Sequence, residues 1–370
     1  MTARGFSFTT LALAASLSFG GVACNSSSPD KAGPAGPERV EGAPWEGAVP
    51  AGYPKWPPPY LFQFAGFDFP NTIGGIHVDD RYVYWGQKSA GGFMRVEKTN
   101  PGNPEFFLDC SGGCDSDQSA SDGTNFYTLA GSHVLRVSVA DATRTELPLD
   151  WNHTNGALLV DERYVYTAMH GCPALTRIDK QTLAKEVMEI DGVGYPGRGR
   201  SALAKAGSAL VCGSPSEIFV IDAWGGEARR IFTDVHQGFS VAATGDRAFF
   251  LEDGDEWATI GAVPLAGGSA QRLLEDQEGG FALPLLSAPS VGNVIWGDNR
   301  GLRSLDTHDS SLGATAVGYV QTVDADATDA YATVSGFMPE TVNGRPESVR
   351  AFWIARVSLA ELASSAAPKP

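Results

Sequence analysis

From Ile76 onward the chain alternates short apolar runs with polar, glycine-rich breaks, and the runs return at a fixed interval. Two segments make the repeat visible: Val78-Asp79-Asp80-Arg81-Tyr82-Val83-Tyr84 and Val160-Asp161-Glu162-Arg163-Tyr164-Val165-Tyr166. With Tyr84 as marker, the equivalents are Tyr127, Tyr166, Val211, Phe250, Trp296 and Ala332, at spacings of 43, 39, 45, 39, 46 and 36 residues. A propeller blade takes ~40–45 residues. A second column tests the phase. After each marker two apolar residues stand three apart: Phe93 and Val96, Val134 and Val137, Leu175 and Ile178, Ile218 and Ile221, Ile260 and Val263, Leu302 and Leu305, Ile354 and Val357.

Each unit reads as four short strands. In the first, strand A is Ile76–Asp79, B is Tyr82–Gly86, C is Phe93–Lys98 and D is Glu105–Asp109. The A–B breaks, Asp79-Asp80-Arg81, Asp122-Gly123-Thr124 and Gly245-Asp246-Arg247, have hairpin chemistry. Short strands at this period predict an all-β, seven-bladed β-propeller of four-stranded blades over residues 60–362. The last unit has no strand D, because Ser358-Leu359-Ala360-Glu361-Leu362 leads only to a tail at 363–370. A surplus strand, Tyr60–Phe67, precedes the first unit. Pairing it with the last blade closes the ring and removes two open edges.

Composition agrees with this reading. Glycine is 44 of 370 residues and charged residues are only 19%, which favours many turns over long helices. The formal charge of −16 excludes a nucleic-acid partner, whose recognition rests on Lys and Arg.

Residues 1–23 carry one charge, Arg4, and an apolar run over Leu11–Ala23. That run is too short for a membrane span and has the layout of a signal peptide. It ends in Gly21-Val22-Ala23-Cys24, which resembles a bacterial lipobox except that Gly21 stands where an aliphatic residue is usual. The resemblance implies that Cys24 receives the lipid. It leaves four cysteines in place of an odd five. Residues 24–59 are rich in Pro and Gly and read as a tether. Asn25 lacks the Asp that resembles an inner-membrane retention signal, so an outer-membrane envelope lipoprotein is expected. An oxidising route favours disulfides. Cys110–Cys114 and Cys172–Cys212 are the expected pairs, since crossed pairings span more distant blades.

The B and C strands resemble YWTD-type propeller repeats, through Tyr84-Trp85 with Met94-Arg95, and more weakly Tyr127 with Leu135-Arg136 and Ile354-Ala355-Arg356. The resemblance covers residues 70–360 and concerns fold more than function. Such repeats are common in bacterial lipoproteins.

No local motif announces catalysis. HExxH, GxSxG and the Glu-His-Gly signature of propeller lyases are absent. Gly197-Arg198-Gly199-Arg200 lacks the strand–helix setting of a dinucleotide loop. Asp115-Ser116-Asp117 and Glu252-Asp253-Gly254-Asp255-Glu256 read as solvated acidic loops. Arg95, Arg136, Arg177 and Arg356 share one column and are expected to join blades. His153, His170 and His236 fall in B–C and D–A connections, which lie on one face of the disk. The last unit carries an insertion over Gly336–Ala351, expected as a loop, with Arg345 and Arg350 as landing points for an anionic ligand. These five are the candidate binding residues. The chain therefore reads as a monomeric, non-catalytic binding or scaffolding module without a cofactor, with a protein or glycan partner. The alternative is a metal-dependent lactonase- or lyase-like enzyme with its site at the channel mouth.

Overall fold

Seven four-stranded antiparallel sheets make up a computed structural model of the chain. It describes residues 60–64, 73–87, 91–110, 113–149, 156–169, 171–191, 202–214, 216–233, 240–253, 258–276, 287–290, 293–298, 301–308, 311–315, 319–342 and 345–364. These belong to one unit, residues 48–370.

Chain order gives the blades. The first strand, β1 (Tyr60–Phe64), is set aside for the last blade. Blade 1 is β2 (Ile73–Val78), β3 (Tyr82–Gln87), β4 (Gly92–Glu97) and β5 (Asn100–Asp109). Blade 2 is β6 (Cys114–Ser121), β7 (Asn125–Ala130), β8 (His133–Ser138) and β9 (Arg144–Pro148). Blade 3 is β10 (Ala157–Val160), β11 (Tyr164–Ala168), β12 (Ala174–Asp179) and β13 (Lys185–Glu189). Blade 4 is β14 (Ala202–Ala206), β15 (Ala209–Gly213), β16 (Glu217–Ile221) and β17 (Arg229–Thr233). Blade 5 is β18 (Ser240–Thr244), β19 (Arg247–Asp253), β20 (Ala258–Pro264) and β21 (Gln271–Asp276). Blade 6 is β22 (Ser287–Ser290), β23 (Asn293–Asp298), β24 (Gly301–Asp306) and β25 (Leu312–Thr315). Blade 7 is β26 (Tyr319–Ala325), β27 (Asp329–Val342), β28 (Arg345–Ser358) and, on its outside, β1. A short helix, α1 (Leu359–Ser364), follows. This is a seven-bladed β-propeller closed by an N-terminal strand, with Phe62 opposite Ile354 and Phe64 opposite Phe352.

The fourteen apolar residues of the strand-C column are all buried, none more than 2% exposed. They place each strand C against its neighbours and build the clusters between blades, such as Val211, Val220, Phe250 and Val263 between blades 4 and 5. The cross-strand partners of the residues before the second column are Tyr84, Tyr127, Tyr166, Val211, Phe249, Ile295 and Tyr331. The marker positions Phe250, Trp296 and Ala332 are therefore one residue late in blades 5 to 7. Alternation cannot fix that phase, because a propeller strand is covered on both faces: Phe249 and Phe250 are both buried, as are Ile295 and Trp296, and Tyr331 and Ala332.

The segment Gly336–Ala351 is not a loop. It extends β27 and β28 in unbroken register from Gly336↔Ala351 to Val342↔Arg345. Asn343-Gly344 between the two strands is the strongest two-residue hairpin signal. No helix among the described residues is long and apolar enough to cross a membrane.

Candidate functional site

Four blades carry one recurring cluster. In blades 1, 2, 3 and 7 an aspartate ends strand A's side of the A–B turn: Asp79, Asp122, Asp161 and Asp326. Five residues later comes a tyrosine, Tyr84, Tyr127, Tyr166 or Tyr331, and directly across from it an arginine, Arg95, Arg136, Arg177 or Arg356. The spacing has a mechanical cause. Each aspartate's Oδ1 accepts two turn N–H groups, from Arg81 and Tyr82, Thr124 and Asn125, Arg163 and Tyr164, or Thr328 and Asp329. Its Oδ2 accepts the tyrosine hydroxyl, at 3.0, 2.9, 2.9 and 3.3 Å in turn.

The same Oδ2 then reaches a neighbouring blade. Ser121 Oγ donates to Asp79 at 2.8 Å, and Lys180 Nζ lies 2.6 Å from Asp122. Lys205 pairs with Asp161. Lys98 Nζ lies 2.6 Å from Asp326. Burial opposes ionisation of Asp122, Asp161 and Asp326, yet the lysine and the turn N–H groups outweigh it. All three carboxyls are held below the usual carboxylate range, Asp161 at about 2. Burial and the adjacent carboxylate push the four phenols above their ordinary range.

The arginine column joins blades as well. Arg95 donates to Val139 O at 2.8 Å and Arg136 to Lys180 O at 3.1 Å, each in the next blade. Arg177 lies over the Trp224 ring of blade 4. Arg356 donates to Asp329 at 2.7 Å. The column is thus engaged between and within blades and is not a ring of anion ligands. In blades 4 to 6 the same three positions hold Ala206, Val211 and Val220, then Thr244, Phe249 and Ala262, then Ser290, Ile295 and Ser304. Those blades join through apolar clusters.

Two disulfides also bridge blades. Cys110 follows β5 and bonds Cys114 at the start of β6. Cys172, after β11, bonds Cys212 in β15, and both are fully buried. On the innermost strands, His77 Nε2 accepts the Ser121 N–H at 2.7 Å, and its Nδ1 lies 3.2 Å from Asp324. His77 so links blades 7, 1 and 2.

Of the expected binding residues, His153, His170, His236 and Cys24 lie outside the described residues. Arg345 and Arg350 stand on the extended hairpin, opposite Val342 and Phe337. The hairpin is the unusual element. Its strands have 14 residues each, whereas the other B and C strands have 5 to 7. The flanking strands pair only as far as Ser335 on one side and Phe352 on the other. Beyond them seven residue pairs continue as a two-stranded arm among the described strands, about 24 Å at ~3.4 Å per residue. It rises from the B–C end of blade 7. Elsewhere, Ser214, Ser240, Val241 and Phe250 help line a cavity of about 10 Å³ between blades 4 and 5, the size of one water. Among the described residues, no group of three His, Cys, Asp or Glu is placed to hold a metal ion.

No protein-family model matches the chain, and no curated protein does. Solved structures match over the propeller. PorZ, an essential bacterial surface component of the type-IX secretion system of Porphyromonas gingivalis, has a TM-score of 0.56 and is 14% identical, with 80% of this chain and 38% of that one covered. The WD40 propeller domain of Doa1 has a TM-score of 0.55 at 12% identity, covering 79% and 95%. The extracellular domain of a hybrid two-component system of B. thetaiotaomicron gives 0.53 at 10%, covering 74% and 40%. The chain spans well under half the length of the first and third. Such likeness shows the propeller fold.

Proposed function

We propose that the chain is a lipid-anchored propeller of the cell envelope that acts as a non-catalytic binding or scaffolding module. The observation that carries this reading is the arm of blade 7. A ring tied by charged groups around blades 7, 1, 2 and 3 and by apolar clusters through blades 4 to 6 is a rigid platform, and the arm is the element that leaves it. Long excursions from a rigid scaffold are where binding concentrates. The arm carries Arg345 and Arg350 beside Glu340 and Glu347, a net charge of zero on a chain of charge −16, so it repels an anionic protein or glycan less than the chain as a whole does.

Export is supported by the sequence of residues 1–24 and by two disulfides. The surface role of PorZ and the extracellular site of the two-component propeller fit the same setting. Anchoring rests on Cys24, with the outer membrane as its destination.

Fractionation tests the anchor and capture tests the arm. Cys24→Ala should leave the membrane fraction. Affinity capture from solubilised envelopes should recover a partner with the full chain, and not with a variant in which 336–351 is replaced by a four-residue turn. Equal capture by both removes the arm from the account.

A further inference from the structure

The arm of blade 7 has two sides, and strand register assigns each residue to one of them. At the base of the hairpin Leu359 N–H donates to Thr328 O, and from there β27 pairs with β28 without a shift up to Val342↔Arg345. Hydrogen-bonded pairs alternate with open pairs along an antiparallel ladder. The even-numbered residues of β27 therefore bond across the hairpin, while Phe337, Pro339 and Thr341, opposite Arg350, Ser348 and Pro346, turn their backbone groups outward. Both prolines of the arm thus stand where no hairpin hydrogen bond is lost. Each also takes one of three outward donors from its edge.

The same alternation sorts the residue types. Phe337, Pro339, Thr341, Pro346, Ser348 and Arg350 share one side of the ribbon: an arginine directly opposite an aromatic residue, two prolines, two hydroxyl residues and no carboxylate. Glu340, Glu347 and Arg345 fall on the other. Arg350 alone gives the proline side a charge of +1, and one arginine with two glutamates gives its reverse −1. Lower in blade 7 the two sides have different neighbours. Tyr331 and Ile354, of the proline parity, pack in a cluster with Trp85 of blade 1. Ala332 and Val334 pack in one with Ile295 of blade 6.

We propose that the proline side of the arm binds an acidic glycan, a chain of uronic-acid sugars whose carboxylate Arg350 receives. The proposal rests on the reading that the arm carries binding, and adds the ligand's class and the side that meets it. A peptide captured by a hairpin pairs main chain with main chain along an edge, and Pro339 and Pro346 interrupt both edges. A glycan needs no such pairing. Its ring faces suit the rings of Phe337, Pro339 and Pro346, its hydroxyls suit Thr341 and Ser348, and its carboxylate suits the planar guanidinium fork of an arginine. On a chain of charge −16, the side of the arm without a carboxylate also repels an anion less than its reverse does.

Calorimetric titration of the full-length protein in detergent with oligogalacturonate tests it, beside a neutral dextran fragment and poly-glutamate. Oligogalacturonate should bind saturably, and the other two about tenfold or more weakly. Arg350→Gln should weaken binding about tenfold, the scale of one charge-assisted pair. Arg345→Gln, on the reverse side, should leave it within about twofold, with the melting temperature of both variants unchanged. Absence of oligogalacturonate binding, equal loss in both variants, or poly-glutamate bound as tightly overturns the proposal. Envelope capture separates it from the reading beneath it: capture lost on shortening the arm but intact in Arg350→Gln leaves the arm as the binding element and removes the acidic glycan.

Discussion

Lys98 Nζ, in the C–D turn of the first blade, lies 2.6 Å from Asp326 Oδ2, in the A–B turn of the seventh. The two are 228 residues apart in sequence, and their contact sits on the seam where the ring closes. Asp324 adds to the same seam, accepting from Val78 N–H at 3.0 Å and facing His77. The N-terminal strand closes blade 7 from the outside, and this charged contact holds blade 7 to blade 1.

Removing the lysine tests the seam. Lys98→Met keeps the aliphatic stem but leaves Asp326 with Tyr331, the Thr328 hydroxyl and the turn N–H groups and no cation. Both partners are largely buried, at 11% and 22% exposed side chains, so a loss of about 1–3 kcal/mol is expected. Asp326→Ala, which also strips the turn, should cost more. Urea unfolding with both variants decides; equal stability of Lys98→Met and wild type contradicts the seam.

Acid should loosen the same arc of blades. Asp122, Asp161 and Asp326 have carboxyls held below their unfolded-state range. Their contribution is complete above the unfolded value of ~4 and is lost as pH falls through the folded values. Stability should therefore drop between about pH 4 and pH 2, and Asp161→Asn should flatten part of that slope. A wild-type stability curve level across that window contradicts the assignment.

The two disulfides should differ in weight. Cys172–Cys212 closes a separation of 40 residues and Cys110–Cys114 one of 4. Loop-closure entropy then gives about 4 kcal/mol for the first and about 2 for the second. Denaturation of Cys172→Ala/Cys212→Ala beside Cys110→Ala/Cys114→Ala measures the ranking, and a reversed order contradicts it.

How much of this was readable in advance depends on the kind of signal. The strand-C pairs such as Phe93 and Val96 repeat because every blade must bury them, so blade number and ring closure were legible. The phase of strand B in blades 5 to 7 was not, since Phe249 and Phe250 are equally buried. The Asp-to-Tyr spacing of five would have corrected it in blade 7, where Asp326 points to Tyr331 and not Ala332. Asn343-Gly344 likewise announced a hairpin where an insertion was expected as a loop.

The C-terminal helix tests a tertiary contact. Leu362 is fully buried in the cluster of Ile295, Leu302 and Val320, and Gly313 lies beneath its carbonyl. Leu362→Ala should cost about 2–5 kcal/mol. Gly313→Ala has no room for its methyl and should push α1 off blade 6. Thermal melts of both, with proteolysis at α1 as readout, check this; an unperturbed Gly313→Ala contradicts the packing.

The central claim is that the arm of blade 7 carries binding. A photo-reactive residue placed at Phe337 or Val349, on the arm but not adjacent to its prolines, can report this in intact cells. Discrete adducts from the arm positions that are absent when the same group replaces the exposed Phe106 of blade 1, with the melting temperature unchanged, are the expected result. The same adducts from position 106, or none from either arm position, would contradict the account.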